Sequence, residues 1–410
     1  MNDSSDSDDT AVPLSEDTLS LRVVEDIGDL NAGRWDVLAA THETLSSNPF
    51  VRHAFLRTLE EAGCVGGRTG WLPQHLVLEN ERGDLLGVAP AYLKGHSQGE
   101  YVFDHGWADA FERAGGRYYP KLQLSVPFTP VTGPRFLVGS GPSADAVRLA
   151  MAEATKAYVA QTKISSAHAT FLEPGDLAAL EDDDFLHRTD QQFHFINRGY
   201  ATYDDFLESL ASRKRKGLRK ERREALANDI TIDRLTGAGL TDEAWDAFFG
   251  FYMDTGSRKW GRPYLNRRFF SLLGERMPEA IVLVMARRNG RYIAGALNLV
   301  GAGRIFGRYW GCSEDHPFLH FEVCYHQAID YAIEHGLAVV EAGAQGEHKL
   351  ARGYEPVTTH SAHFIAHPGL RRAIEDYLDH ERREVERTQE LLADHTPFRR
   401  GERQGEVEEN

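Results

Sequence analysis

The run Glu341-Ala342-Gly343-Ala344-Gln345-Gly346-Glu347-His348-Lys349-Leu350-Ala351-Arg352-Gly353-Tyr354 is the densest polar cluster in the chain. It follows the apolar stretch 337–340, and the ends of strands are where α/β sheets hold ligands. Glu341, Glu347 and His348 are of the types that take a proton from an amine near neutral pH. Lys349 and Arg352 reach phosphate or carboxylate groups, and the small residues before them let a ligand approach the backbone. A charged surface helix with a glycine-rich entry would have a similar composition, but exposed helices seldom open with five small or amide residues.

Two further groups lie upstream. Gly307-Arg308-Tyr309-Trp310-Gly311-Cys312 closes a strand, and His320-Phe321-Glu322 opens a helix. His320 with Glu322 makes an acid–base set, since a helix N-terminus favours the carboxylate anion; a capping and packing pair has the same residues. Cys312 and Cys324 stand in apolar surroundings, where a free thiol behaves as a small hydrophobe. His316, His320 and His326 lack the H-E-x-x-H spacing and Pro317 interrupts their first turn, so no metal site is expected.

The strongest charge feature is 213–223, where eight of eleven residues are basic. Arg213, Lys214, Arg215 and Lys216 lead this run, which continues a helix beginning near Thr202. Such density binds phosphates, as in a nucleotide tail or a transfer RNA backbone. A solvated helix face balanced by acids elsewhere is the alternative.

The elements that must position these residues form a repeated pattern. Residues 19–24 read as a strand, and 35–40 as a helix. A second helix is expected from Asn48 to Glu61, with Asn48 as N-cap, Pro49 in the first turn and Gly63 as the stop. Residues 75–79 and 85–93 form a hairpin around 80–84. A second hairpin, 281–286 with 292–297, turns at 288–291. Each hairpin is followed by an aromatic, glycine-rich stretch, then a helix (144–160 and 318–335), then a strand. Gly83 and Gly87 match Gly290 and Gly295 at about half the chain length, which reads as domain duplication. The boundary falls near 185–200, before the strand 192–196. The expected organisation is an acidic leader 1–18, a first domain 19–190, a second domain 191–398 ending in a helix, and a tail 399–410. Residues 94–101, 118–121 and 127–130 are rich in polar-tipped aromatics that suit one wall of a substrate groove.

Composition excludes several classes. The chain has 410 residues, 41% hydrophobic and 26% charged, with a formal net charge of −16. More than half of that charge lies in the two termini, where residues 1–20 carry six acids and no base. A surface that coats nucleic acid as a whole is therefore excluded. Cys64, Cys312 and Cys324 give an odd count with no C-x-x-C pair, so neither a disulfide framework nor a zinc ribbon organises the fold. The acidic, serine-rich start has no signal-peptide pattern, and the apolar run 280–286 is far shorter than a membrane span, so a cytoplasmic location is expected. No Walker motif, dinucleotide fingerprint, G-x-S-x-G elbow or kinase signature occurs.

From Asn48-Pro49-Phe50 to Pro397-Phe398 the chain resembles a bacterial FemAB-like family of the GNAT (acyl-CoA N-acyltransferase) superfamily, often labelled peptidoglycan biosynthesis/recognition. The matching blocks are 95–104, 118–122 with 127–130, Gln192-Phe193-His194, 213–216, 307–311, His320-Phe321-Glu322 and 341–353. The resemblance implies an α/β (α+β) fold of tandem GNAT-like domains, each a mixed twisted sheet flanked by helices. It also implies transfer of an acyl group from acyl-CoA or aminoacyl-tRNA to a small-molecule or muropeptide amine, with transfer RNA as a possible partner and a backbone N–H of the splayed second sheet polarising the carbonyl. The superfamily's pyrophosphate loop, Q/R-x-x-G-x-G/A, has no counterpart; Gln345-Gly346-Glu347-His348-Lys349 departs from it, so the donor stays open. In this frame Glu341, Glu347 and His348 are candidate bases, with His320 and Glu322 behind them. Lys349, Arg352, Arg308 and Gln345 would hold donor or acceptor. Tyr309 or Tyr354 would protonate the leaving group. The alternative is a fold that binds a cell-wall precursor or RNA without catalysis.

Overall fold

The structure, a computed structural model, describes residues 18–40, 48–259, 263–344, 346–393 and 397–399. The expected leader and tail, save Thr18 and Arg399, lie outside the described residues, as do Gln345 and the side chain of Glu347. In chain order the strands are β1 Ser20–Val24, β2 Trp71–Pro73, β3 His75–Glu79, β4 Leu85–Ala89, β5 Ala91–Lys94, β6 Lys121–Leu124, β7 Ser166–Thr170, β8 Leu186–Ile196, β9 Thr231–Leu235, β10 Ile281–Arg288, β11 Arg291–Gly301, β12 Arg304–Cys312, β13 Val339–Glu341 and β14 Glu355–Ile365. An eleven-stranded mixed sheet runs β2-β5-β6-β7-β14-β8-β13-β12-β11-β10-β9, beside a three-stranded sheet β1-β3-β4.

Both expected hairpins form, and the first departs from expectation where local chemistry intervenes. In the second, Asn289 (φ 51°) and Gly290 (φ 77°) are both left-handed, as a tight hairpin turn requires. In the first, Pro90 divides the expected strand 85–93: proline offers no N–H and restrains its predecessor, so β4 stays with β3 while β5 joins the large sheet. The helix expected from Asn48 begins only at His53. The Asn48 side chain is diverted, its Oδ1 accepting from the Phe50 N–H at 3.0 Å and its Nδ2 donating to the Thr132 carbonyl at 3.2 Å. The helix expected over 318–335 is composite: Leu319–Phe321, a π turn Glu322–His326, then Gln327–Glu334. The extra residue of a π turn re-aims its side chains, and here Glu322 and His326 point into the core.

The centre of the large sheet joins the two halves. β8 and β14 are each eleven residues long and pair antiparallel, from Glu355 opposite His194 to His363 opposite Leu186. On its other edge β8 pairs with β13, while β14 pairs with β7. Each half therefore lends its last strand to the other, and the boundary expected at 190/191 falls inside β8. The exchange is two-fold in character: His-Phe-Ile occurs at 194–196 and again at 363–365. His194 stands opposite Glu341, and His363 opposite His168.

Cores lie on both faces. One joins Phe50 and Phe55 of the first half to Phe269, Leu297 and Phe306 of the second, under the helices His53–Glu61, Asp242–Lys259 and Arg267–Arg276. The other holds Phe193, Phe195, Ile305, Val340 and Ala328 under the composite helix and the helices Tyr203–Ser209 and Ser212–Ala225.

A buried charge cluster ties the first half together. Lys121 Nζ donates to Glu100 Oε2 (2.7 Å) and Asp104 Oδ2 (2.5 Å), and Lys94 Nζ lies 3.6 Å from Glu100. Tyr118 donates to Asp104 at 2.6 Å, and one ring Nδ1 of the His168–His363 pair donates to the other at 2.7 Å. Burial lowers Lys94 to about 7, opposed by Glu100, and raises Glu100 to about 6, opposed by Lys121. Lys121→Met removes the cation common to two buried carboxylates. It is expected to destabilise the chain by about 3–5 kcal/mol in denaturant unfolding; a loss below about 1 kcal/mol would mean that the cluster is hydrated and weakly coupled.

Candidate active site

β12 and β13 run in parallel for three residue pairs only, from Arg304 with Val339 to Phe306 with Glu341. Beyond that point β12 continues to Cys312 while 342–344 turns away, with Gly343 (φ 74°) and Gly346 (φ 105°) in conformations that disfavour a side chain. A Cβ on Gly346 would also lie 2.1 Å from the His348 ring. Because side chains alternate along a strand, this divergence distributes the 341–354 cluster over two faces. Glu341 aligns with Phe306 and His194 on the face that carries Phe50, while the turn Glu347–Arg352 packs against the opposite core.

Glu341 is 2% exposed. Its Oε1 accepts from Arg304 Nη1 at 2.9 Å; its Oε2 has no hydrogen-bond partner among the described residues. Burial raises its pKa to about 7, opposed by Arg304 and, more weakly, by Arg308. His194 Nε2, also without a partner, lies 3.8 Å from Glu341 Oε2. Burial pushes His194 down to about 3, so the ring is neutral. A neutral imidazole and a carboxyl that titrates near neutrality thus stand side by side, each with an unused polar atom. That arrangement suits removal of a proton from an ammonium group.

On the other face His348 is exposed, and its Nε2 lies 3.0 Å from the Tyr325 hydroxyl. Trp310, His320, Phe321 and Tyr325 surround it: His320 lies 4.9 Å from Trp310 and 6.3 Å from His348 between ring centroids. Arg352 stacks 3.4 Å over Phe321 and is held bidentate by Glu221 (2.6 and 2.8 Å). Lys349 Nζ donates to the carbonyls of Ala342 (2.5 Å) and Gly343 (2.9 Å), and burial lowers it to about 8. The two cations expected to reach phosphates are thus engaged in holding the turn.

The remaining expected residues separate. Glu322 is fully buried, with both oxygens bonded to Arg222 (2.8 and 3.0 Å) and one also to Gln327 (2.7 Å), which makes it a tie between helices. Tyr354 is fully buried, and its hydroxyl donates to the Tyr325 carbonyl at 3.4 Å. Arg308 Nη2 (2.6 Å) and the Tyr309 hydroxyl (3.2 Å) both donate to the Phe128 carbonyl of the first half. In the basic helix Arg215 pairs with Glu208 and Arg219 with Asp204, while Arg213, Lys214 and Lys216 are exposed. Arg304 is not among the residues that the sequence singles out, and His194 is named only within a block that carries the family resemblance, not as a site residue. The repeated His-Phe-Ile is the signal that would have marked His194, since both copies place their histidine at a strand junction.

A sequence profile of the FemAB-like family, described as peptidoglycan biosynthesis/recognition, matches residues 26–400. The chain belongs to the FemAB-like family. Comparison with curated protein sequences gives no match. Among solved structures, FemX is 13% identical, with a TM-score of 0.52 over 84% of this chain and 98% of FemX. L-PGS from Bacillus licheniformis is 12% identical (TM-score 0.46; 84% and 96%). A tandem GNAT protein from the clavulanic acid biosynthesis pathway is 12% identical (TM-score 0.44; 86% and 99%). The likeness to FemX shows a shared fold. Among the described residues of this FemAB-like chain no helix is long and apolar enough to cross a membrane.

Burying an ionised Glu341 is unfavourable. Its raised pKa means that stability is lost as pH rises from the ordinary carboxyl value of 4.5 through about 7. Glu341→Gln is expected to stabilise the chain near pH 8 by about 1–3 kcal/mol and to change little near pH 4, as measured by denaturant melts. Equal effects at both values would show that the carboxyl is not desolvated.

Proposed function

We propose that the chain is an N-acyltransferase that moves an acyl or aminoacyl group from a CoA thioester or an aminoacyl-tRNA to an amine, with Glu341 as the base. The observation that carries this reading is the buried, half-partnered Glu341 carboxyl at the point where β12 and β13 diverge. Membership of a family described by peptidoglycan biosynthesis/recognition supports an amine of a cell-wall precursor as acceptor. Glu341 takes a proton from the ammonium. The freed nitrogen forms a C–N bond to the donor carbonyl, and the C–S or C–O bond to the leaving thiol or ribose hydroxyl breaks. Backbone N–H groups on the unpaired length of β12 supply donors for the developing oxyanion. The leaving group takes its proton from Tyr309 or from the Glu341 acid, and the group so deprotonated takes the second proton that the nitrogen sheds as the amide forms. Donor binding fits the opposite face, where the aromatic shelf around His348 adjoins the basic helix through the Arg352–Glu221 pair.

Glu341→Gln is expected to lower kcat by about 10²–10⁴-fold. Wild-type kcat/KM should rise with pH through about 7 as the carboxyl loses its proton. A variant with full turnover would overturn the assignment of the base. The exposed Arg213, Lys214 and Lys216 favour the aminoacyl-tRNA donor over CoA. If so, charged transfer RNA binds with steep salt dependence, and replacing all three by Ala lowers the slope of log K against log salt by about 2–3; coenzyme A binding with no such change would select the thioester.

A further inference from the structure

The segment 125–135 of the first half crosses the face of β8 and β13 that carries Glu341. It is latched by three side chains of the large sheet: Arg308 and Tyr309 donate to the Phe128 carbonyl, and Gln192 Nε2 donates to the Pro130 carbonyl at 2.8 Å. Phe128 itself stacks on Tyr264 at 4.7 Å. Beneath this strap the charges are incompletely matched. Arg308 sits at a bulge, unmatched between Tyr309 opposite Leu297 and Gly307 opposite Asn298. Its guanidinium lies 5.7 Å from the Phe50 ring and 5.2 Å from that of Tyr309, and no carboxylate among the described residues forms an ion pair with it. Beside it is an apolar hollow lined by Phe50, Phe55, Pro127, Leu297 and Tyr309. Glu341 Oε2 and His194 Nε2, both more than nine-tenths buried, lack partners at a separation of 3.8 Å, a gap that one N–H-bearing group can bridge.

We propose that this face of the sheet takes an acceptor carrying both an amine and an anionic group, admitted when the segment over it moves. The ammonium lodges between Glu341 Oε2 and His194 Nε2, and the anion takes Arg308 from the Phe128 carbonyl. This rests on the reading of Glu341 as the base and narrows its acceptor to an amino-acid-like zwitterion. Arg308 is the group that decides specificity: a guanidinium held over aromatic rings with one weak acceptor gains a charge-assisted, bidentate bond when an oxyanion enters. The anion gives Arg308 a charged partner, and the ammonium shares the Glu341 carboxylate with Arg304. Exchange of the Phe128 carbonyl for the ligand removes one of the three side-chain bonds that the large sheet makes to the strap.

The test is equilibrium binding to the full chain near pH 7.5 with four probes: glycine, O-phosphoethanolamine, ethylamine and propionate. Glycine or O-phosphoethanolamine should bind at least tenfold more tightly than either ethylamine or propionate. Preference for the first makes the anion a carboxylate, and preference for the second a phosphate. Arg308→Met should erase that advantage; Arg308→Lys should restore part of it. Ethylamine binding as tightly as the zwitterions, or no probe binding, overturns the proposal from wild-type protein alone, whatever the variants' folding. If the zwitterions bind as expected but Glu341→Gln keeps full turnover with a competent donor, the base assignment fails while the acceptor site stands.

Discussion

Strand β8 leaves the first half to hydrogen-bond with β13 of the second, and β14 leaves the second to hydrogen-bond with β7 of the first. This exchange governs the rest of the molecule. It creates the central β8–β14 pair and closes both halves into one eleven-stranded sheet. It also makes each half's polar centre a joint construction. His194 reaches Glu341 only because β8 crosses over, and His363 reaches His168 only because β14 returns. Separation of the halves would leave sheet edges open and buried histidines without their neighbours, so the two halves depend on one another for structure.

The two centres occupy corresponding positions but differ in electrostatic balance. In the first half, Lys121 stands between Glu100 and Asp104, and the histidine pair lies behind Tyr118, so charges are matched by charges. In the second half, Arg304 engages one oxygen of Glu341 and leaves the other bare, while Arg308 has a carbonyl for its partner. A compensated cluster of this kind holds a structure together. An under-compensated one stores unfavourable burial that a bound ligand can relieve, which is the usual origin of a trade between stability and activity.

The neighbourhood of the second centre distributes labour between faces. Lys349 and Arg352 hold the 347–352 turn through carbonyls and Glu221, and Glu322 anchors Arg222 of the basic helix. These buried ties fix the aromatic shelf relative to the strands. The face bearing Glu341 is instead covered by the 125–135 segment, to which Gln192, Arg308 and Tyr309 donate hydrogen bonds at backbone carbonyls.

Sequence alone determined the hairpins, the duplication, the α/β class and the family resemblance, because turn chemistry and side-chain periodicity act over a few residues. Of the residues it singled out for proton transfer and anion binding, Glu341 and Arg308 are the two on which the proposals rest. It did not reveal that Glu322 and Tyr354 are buried ties, that Lys349 serves its own loop, or that the helix expected at Asn48 begins later. Those outcomes depend on competition between local and distant partners, such as Asn48 with the Thr132 carbonyl. Above all, only the tertiary structure brought His194 and Arg304 to Glu341. Strand order and register decide which side chains become neighbours, and backbone hydrogen bonds between strands far apart in the chain carry no local sequence signature.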